Sequence, residues 1–504
     1  MTQSKTTAVT PTRAEDYAGW YQAVVRAADL AEPAPVRGCM TIKPWGYGIW
    51  ERIQSILDRR FKETGHRNCY FPLFIPLQYM QREAEHVEGF AAEVALVTHH
   101  RLANVDGRLQ VDAPLEEPLV VRPTSETIVG EAFSRWIQSH RDLPVLINQW
   151  ANVVRWEKRP RIFLRTSEFL WQEGHTAHAT EAEALEETER MLGIYREVAE
   201  DALALPVIAG RKTRREKFPG AVTTLCIEAM MQDGRALQSG TSHFLGQNFA
   251  RAAGIRFTDA DGTVKLPYTT SWGASTRLIG ALIMTHSDDD GLRLPPAVAP
   301  DQVAILPVLR GTPEDAAVLA RCDEIAGRLR RDSWRGEPVR VTIDRRPGSG
   351  SAKRWDWVRK GVPLIVELGA RDLAGGKLIT WRRDRLQDGK AETGLDAFVA
   401  ALPGRLSEIQ AALLAEARMY RDARLRDAST LDEARALLGD GGADGYRSGA
   451  GFVRLPWCGS EDEEAALAET GVTIRCLLPA EDGPAPCAAT GAVTAERAIL
   501  ARAY

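Results

Sequence analysis

No run of about 18 apolar residues occurs in this sequence, so no helix of it is expected to span a bilayer. The opening MTQSKTTAVTPTRAEDY lacks the apolar stretch of a secretory signal, and the expectation is a soluble, cytoplasmic protein with no membrane partner. Cysteine is scarce and unpatterned. The seven residues (Cys39, Cys69, Cys226, Cys322, Cys458, Cys476 and Cys487) are odd in number and scattered, which fits reduced thiols better than a disulfide framework. Charge of one sign is not in excess either: the formal net charge is -4, so bulk electrostatics would not draw the chain to a polyanion and any RNA contact needs a local patch. Neither a P-loop nor a GxGxxG after a strand is present. A bound nucleotide must therefore be held by side chains rather than by a glycine cradle. Internal repeats and low-complexity tracts are absent as well.

What is present is a globular composition, 44% hydrophobic and 26% charged over 504 residues, more chain than one core usually supports. Residues 46–64 place Ile49, Trp50, Ile53, Ile56, Leu57 and Phe61 on one face at helical spacing, predicting an amphipathic helix that stops at Gly65. CYFPLFIP then reads as a β-prone strand whose Pro72 must lie at an edge or an interface. LINQWANVVRW and IFLRTSEFLWQ read as antiparallel strands joined by the polar EKRPR, followed by a helix over 181–204 and a strand at VTTLCIEAMM. This pattern is α+β rather than alternating βαβ. After the proline-rich DGLRLPPAVAPDQ, a small α/β unit is expected, with a helix over 313–330 and strands at VRVTID, PLIVELG and KLITWRR. Past residue 405 the chain reads as helical and then as a loop-rich tail. Three domains are expected, 1–295, 296–404 and 405–504.

Arginine is the residue type to examine for nucleotide binding. Arg155 in VVRWE and Arg165 in FLRTSEFLWQEGH flank the short basic loop, and Arg277 sits in SWGASTR at a strand-to-helix transition. A lone arginine is more often a surface salt bridge. Each of these three lies in an apolar run expected to be buried, where a guanidinium needs a charged partner or a ligand.

RPTSET, VVRWE, FLRTSEFLWQEGH, QSGTSHFLGQNF and SWGASTR together resemble prolyl-tRNA synthetases of the archaeal and eukaryotic-like type, which are class II aminoacyl-tRNA synthetases. The likeness runs from AEDYAGWY through APVRGCMTIKPWGYGIWERI to the closing ARAY. It implies a class II antiparallel catalytic sheet with helices, then an α/β anticodon-binding domain and a small C-terminal α/β domain. It also implies a homodimer that activates L-proline with ATP and transfers it to the 3′ end of tRNA(Pro). By this resemblance Arg155 would hold the α-phosphate of ATP and Arg277 the γ-phosphate. Phe169 would stack on adenine, while Arg165, Thr166, Gln238 and Thr241 would seat the nucleotide. Mg²⁺ would accompany ATP, with Glu157 and Glu168 as candidate metal or nucleotide contacts. Proline would meet Thr124, Glu126, Arg155, Trp171, Glu173, His175, His243 and Ser271. The chemistry suits the choice, because a small apolar ring bearing a secondary ammonium needs a carboxylate, Glu126, and aromatic walls such as Trp171 and Phe169.

No editing insertion separates Arg165 from Arg277, and a proline-sized pocket is expected to misactivate alanine. The basic, tryptophan-bearing RRPGSGSAKRWDWVRKG suits single-stranded RNA, with Trp355 and Trp357 for stacking and Lys353, Glu367 and Arg371 as anticodon candidates. Val358 stands where the family usually has Glu, and GRKTRREKFPG (210–220) reads equally as a solvated face or a tRNA contact. In the tail, only Cys458 and Cys487 match the family's four zinc cysteines; Glu463 and Thr490 replace the others, so no structural zinc is expected. Tyr504 matches the family's terminal tyrosine, which implies a chain end packed back on the catalytic domain. Two further readings are a paralogue that passes proline to another acceptor and a non-catalytic regulator. The retained anticodon domain argues against the first and the retained Arg155 and Arg277 against the second.

Overall fold

The computed structural model describes residues 7–84, 93–439, 451–481 and 483–504. Its first long helix, Pro44–Glu63, starts with proline in the first turn and buries Trp45, Ile49, Trp50, Ile53, Leu57 and Phe61, the face expected from their spacing. The segment after it is not one strand. Arg67–Asn68 pairs in parallel with Ile147 and Asn148, whereas Phe74–Pro76 pairs antiparallel with Leu119–Val121. Pro72 belongs to neither strand, because a residue without an N–H interrupts the ladder between them. Phe74–Pro76 edges a three-stranded sheet made chiefly by a long hairpin, Ala95–Val105 and Arg108–Val121.

The central feature is an eleven-stranded sheet. At one end Val145–Val154, Glu168–His178, Tyr268–Ser275, Ala236–Gly246, Thr223–Met230 and Val207–Arg211 lie side by side, every neighbouring pair antiparallel. The helix Glu181–Asp201 packs behind them, capped by Thr180 and Glu183 in a reciprocal capping box. The expectation that IFLRTSEFLWQ is a strand throughout is corrected: the strand begins at Glu168, and residues 161–165 form a turn in which Arg161 N–H donates to Arg165 O and Phe163 adopts φ +61°. The arginine-bearing loop thus stands clear of the sheet.

The 302–403 region has a five-stranded sheet. Val341–Ile343, Val303–Val308 and Leu364–Gly369 are parallel, and Lys377–Arg382 and Ala391–Gly394 extend it antiparallel. A 28-residue helix, Leu395–Asp422, leads back to the large sheet. The tail is more regular than its composition suggests. Phe452–Pro456, Thr473–Pro479 and Glu496–Ala501 are strands that continue the central sheet, joining it where Leu477 pairs with Arg211. That junction is short, and a buried ion cluster reinforces it. Glu228 accepts from Lys212 Nζ at 2.8 Å and from Arg475 Nη2 at 3.1 Å, and Lys212 also donates to Arg475 O at 2.8 Å. Removing the one anion from such a cluster strands two buried cations, which costs about 3–5 kcal/mol. Glu228→Gln is expected to lower unfolding free energy in denaturant by that order; a loss under about 1 kcal/mol would mean the cluster holds nothing together.

Candidate active site

Register builds the site. Across three neighbouring strands His175 lies opposite Ser271 and Ser271 opposite His243; one step along, Glu173 faces Gly273, which faces Thr241. Because strand side chains alternate faces, Phe169, Trp171, Glu173 and His175 share the face that carries Thr241, His243 and Ser271. Two adjoining cavities open on this face. The inner one, about 300 Å³, is lined by Thr124, Glu126, Arg155, Phe169, Trp171, Glu173, His175, Gln238, Thr241, His243, Ser271 and Arg277 among others. The outer, about 470 Å³, shares Thr124, Arg155, Phe169, Phe218, Pro219, Ser275 and Arg277 and adds Glu157, Arg165 and Thr166 among others. Glu168 lines neither and accepts from Asn152 Nδ2.

Glu173 anchors the inner floor. It accepts from Ser125 Oγ at 2.5 Å, Ser125 N at 3.2 Å, Gln149 Nε2 at 2.7 Å and His175 Nε2 at 3.1 Å. Burial alone would raise its carboxyl, but these donors, His175 foremost, hold it below the ordinary value. Glu173 is therefore saturated by protein. Glu126, at the start of the helix Glu126–Trp136, takes its hydrogen bond from Thr124 Oγ1. Burial opposes a charge on His175, yet its bond to Glu173 lifts it above the ordinary histidine value. His243 goes the other way, pushed down to about 3 by burial and by the cations Arg155 and His175. Its Nδ1 pairs with Thr224 Oγ1 at 3.0 Å, and Phe218 lies over the ring at 4.7 Å.

Arg155 forms the partition between the cavities. Its Nε donates to Pro123 O at 2.9 Å and its guanidinium lies 5.6 Å from the Phe169 ring and 5.2 Å from Trp171. Arg277 Nε donates to Leu164 O at 3.1 Å, and Arg165 Nη2 to Tyr504 O at 3.2 Å. The three guanidiniums converge as expected, but they are not buried in apolar packing: Arg155 and Arg165, on the loop between two strands, are exposed, and Arg277, at the start of the helix Arg277–His286, is half-buried. All three line the outer cavity, and its walls still desolvate Arg155 and Arg277. Burial, Arg165 and Arg155 hold Arg277 down to about 10. Among the described residues none of the three has an Asp or Glu side chain within ion-pair distance. Such a cluster is built to receive an anion.

Profiles of three families match consecutive parts of the chain: the tRNA synthetase class II core domain (G, H, P, S and T) over 109–286, the anticodon binding domain over 302–403, and the prolyl-tRNA synthetase C-terminal domain over 447–504. The chain is 55% identical over its whole length to a proline--tRNA ligase of Paramagnetospirillum magneticum, which it covers completely, and 54% identical to one from Protochlamydia amoebophila, again with full coverage of both. The chain belongs to the prolyl-tRNA synthetases. A crystal structure of prolyl-tRNA synthetase from Cryptosporidium parvum complexed with L-proline and AMP superposes with a TM-score of 0.86 at 36% identity, covering 99% of this chain and 97% of that one.

Several lining residues of the synthetase escaped sequence reasoning. Trp272 floors the inner cavity with its indole against Gly174, where a Cβ would come within 2.1 Å of the ring. It reads as core in a sequence, and it is 1% exposed. Phe218, Pro219, Lys212 and Lys217 come from GRKTRREKFPG, of which only Arg214, Arg215 and Glu216 are solvated outright. Buried Ser271 Oγ and Trp272 Nε1, with Trp171 Nε1, find no partner among the described residues, so this cavity presents hydrogen-bonding groups the protein itself does not satisfy.

Away from the cavities, two expectations change. Trp357 is not available for stacking on RNA: it is buried against Trp45, and its Nε1 donates to Asp344 Oδ2 at 3.0 Å. Lys353, 4% exposed, donates to Asp344 O, and Glu367 accepts from Arg354 and Trp381, whereas Trp355 and Arg371 remain at the surface. Val358 is fully buried in the same core. In the tail, Cys487 Sγ accepts from Cys458 N at 3.1 Å and Thr490 Oγ1 lies 3.6 Å from Cys458 Sγ, while Glu463 caps its own helix. Tyr504 is packed back on the catalytic core, its hydroxyl on Asp233.

The raised His175 contributes stability that is complete below its unfolded value of 6.5 and is lost as pH climbs through the higher folded value. The lowered Glu173 contributes above 4.5 and loses it as pH falls through its lower folded value. Their pair is therefore at full strength from 4.5 to 6.5. His175→Gln is expected to flatten the fall of melting temperature with pH above 6.5. An unchanged slope would show that His175 is neutral in the folded protein.

Proposed function

We propose that the synthetase binds L-proline in the inner cavity and ATP in the outer one, forms prolyl-adenylate with release of diphosphate, and transfers proline to the 3′ end of tRNA(Pro). The observation that carries this reading is the convergence of Arg155, Arg165 and Arg277, without Asp or Glu partners among the described residues, beside a compact aromatic pocket with an acid, Glu126, in its wall. Glu126, with Thr124, receives the secondary ammonium of proline. Trp171, Trp272 and Phe218 enclose the ring, and Ser271, His175 and His243 line its far side. A neutral His243 avoids a further positive charge beside the ammonium. Phe169 stacks on adenine, Thr166, Gln238 and Thr241 hold the nucleoside, and Arg165 with Arg277 draws the outer phosphates.

Arg155, lying between the cavities, holds the α-phosphate beside the proline carboxylate. A carboxylate oxygen attacks the α-phosphorus and the bond to diphosphate breaks, so catalysis consists of positioning and of stabilising charge already on the reactants. The terminal ribose hydroxyl of the tRNA then attacks the prolyl carbonyl, and AMP departs. Among the described residues no group of three or more His, Cys, Asp or Glu could hold a metal. Mg²⁺ would accompany the triphosphate, and Glu157, which lines the outer cavity, is the carboxylate that would hold it. When bound, the ion neutralises phosphate charge. Arg371 and Trp355 are the groups offered to the anticodon, with Lys353 and Glu367 bracing the surface beneath them.

The long hairpin supports a homodimer. Leu102, Leu109 and Val111 are 57%, 70% and 69% exposed, and Leu102 faces Val111 across the ladder, an apolar surface that a second copy would cover. All seven cysteines are free, which suits a reducing cytoplasm.

Arg277→Ala is expected to reduce proline-dependent exchange of diphosphate into ATP by about 100-fold or more, the scale of losing one preorganised charge contact. Exchange within about twofold of wild type would contradict the nucleotide reading. Leu109→Asp with Val111→Asp is expected to give a monomer in sedimentation; an unchanged species, whether dimer or monomer, would place any interface elsewhere.

A further inference from the structure

The segment 212–219 contributes Lys212, Glu216, Lys217, Phe218 and Pro219 to the inner cavity, yet it lies in no strand or helix beyond Arg211. Its shape is set by Thr213, which is 4% exposed. Thr213 Oγ1 accepts from Glu216 N at 3.2 Å, and Thr213 O accepts from Lys217 N at 3.0 Å, closing a turn. The turn delivers Phe218, whose N–H donates to Thr224 Oγ1 at 2.9 Å, the hydroxyl that also pairs with His243. Phe218 thus reaches its seat over His243 through a short chain of bonds that begins at Thr213.

That hydroxyl has one more partner, and it comes from the far end of the sequence. Thr213 Oγ1 donates to Glu464 Oε1 at 2.7 Å. Glu464 is 5% exposed on the helix Glu461–Ala468, in the C-terminal part of the sheet. A carboxylate so deeply covered is costly unless its position serves the fold or the site. The neighbouring Lys212 is tied to the same part by its bond to Arg475 O. Two successive residues at the base of the turn are therefore gripped by C-terminal residues more than 250 positions away, while the rest of the turn faces the cavity.

We propose that Glu464 is a positioning residue for amino-acid recognition: through Thr213 it fixes the turn that seats Phe218 over the proline pocket. Through Thr213 the C-terminal part of the chain then acts chiefly on the inner cavity, which Lys212, Glu216, Lys217, Phe218 and Pro219 all line; only Phe218 and Pro219 of these also border the outer one. This rests on reading the inner cavity as the proline pocket, and proline-dependent exchange by the unaltered protein tests that reading by itself.

The test uses the full-length protein and measures KM for proline and for ATP separately in the exchange reaction. Glu464→Ala is expected to raise KM for proline about fivefold or more, the scale of one lost hydrogen bond to a charged group, with KM for ATP within about twofold. Glu464→Gln keeps an acceptor oxygen and is expected to stay within about twofold of wild type for both substrates. Thr213→Val should match Glu464→Ala, and the double variant should be no worse than either alone, because one link is broken twice. The proposal is overturned if KM for proline does not move, if both KM values rise together, if the glutamine variant fails like the alanine variant, or if the two single effects add.

Discussion

Like charges held together need a reason, and in this protein three guanidiniums are held together. Arg155 and Arg277 are fixed by main-chain carbonyls, which leave their charge uncancelled, and Arg165 is held by O of the last residue, Tyr504. Carbonyl anchors fix direction without cancelling charge, and all three guanidiniums line the outer cavity. The cluster is unfavourable until an anion arrives. Much else in the catalytic region follows from that constraint: a turn stiff enough to supply Leu164 O, a strand register that sets an aromatic pocket alongside, and a neutral histidine where another cation would add repulsion.

The acidic groups divide the labour in a way composition could not reveal. Glu173 and Glu126 both stand in ordered motifs, and both line the inner cavity. Glu173 is saturated by four donors and serves as the floor, whereas Glu126 takes a single hydroxyl. Two carboxylates close together are thereby given different chemistry by their neighbours rather than by their identity.

Much of this was legible in the sequence wherever a short string carries its own geometry. FLWQEGH predicts alternation, and alternation puts Phe169, Trp171, Glu173 and His175 on one face. What stayed hidden depended on distant partners. Trp272 looks like core because nothing local says that Gly174 leaves its ring room to floor a cavity. The basic aromatic string around Lys353 looked like one RNA surface, but a helix has two sides, and Trp357 and Lys353 fall on the side that Asp344 and Trp45 occupy. The tail looked like loop because its strands are short and two of them end in proline, and only their pairing with one another and with the catalytic sheet makes them strands.

The central claim is that Arg155 partitions two cavities which together hold one prolyl-adenylate. A crystal structure with a non-hydrolysable prolyl-adenylate mimic tests it most directly. The account predicts the pyrrolidine ring between Trp171 and Phe218, its nitrogen on Glu126, the phosphate mimic on Arg155 and adenine against Phe169. A mimic bound with the ring in the outer cavity, or with no contact to Arg155, would contradict it.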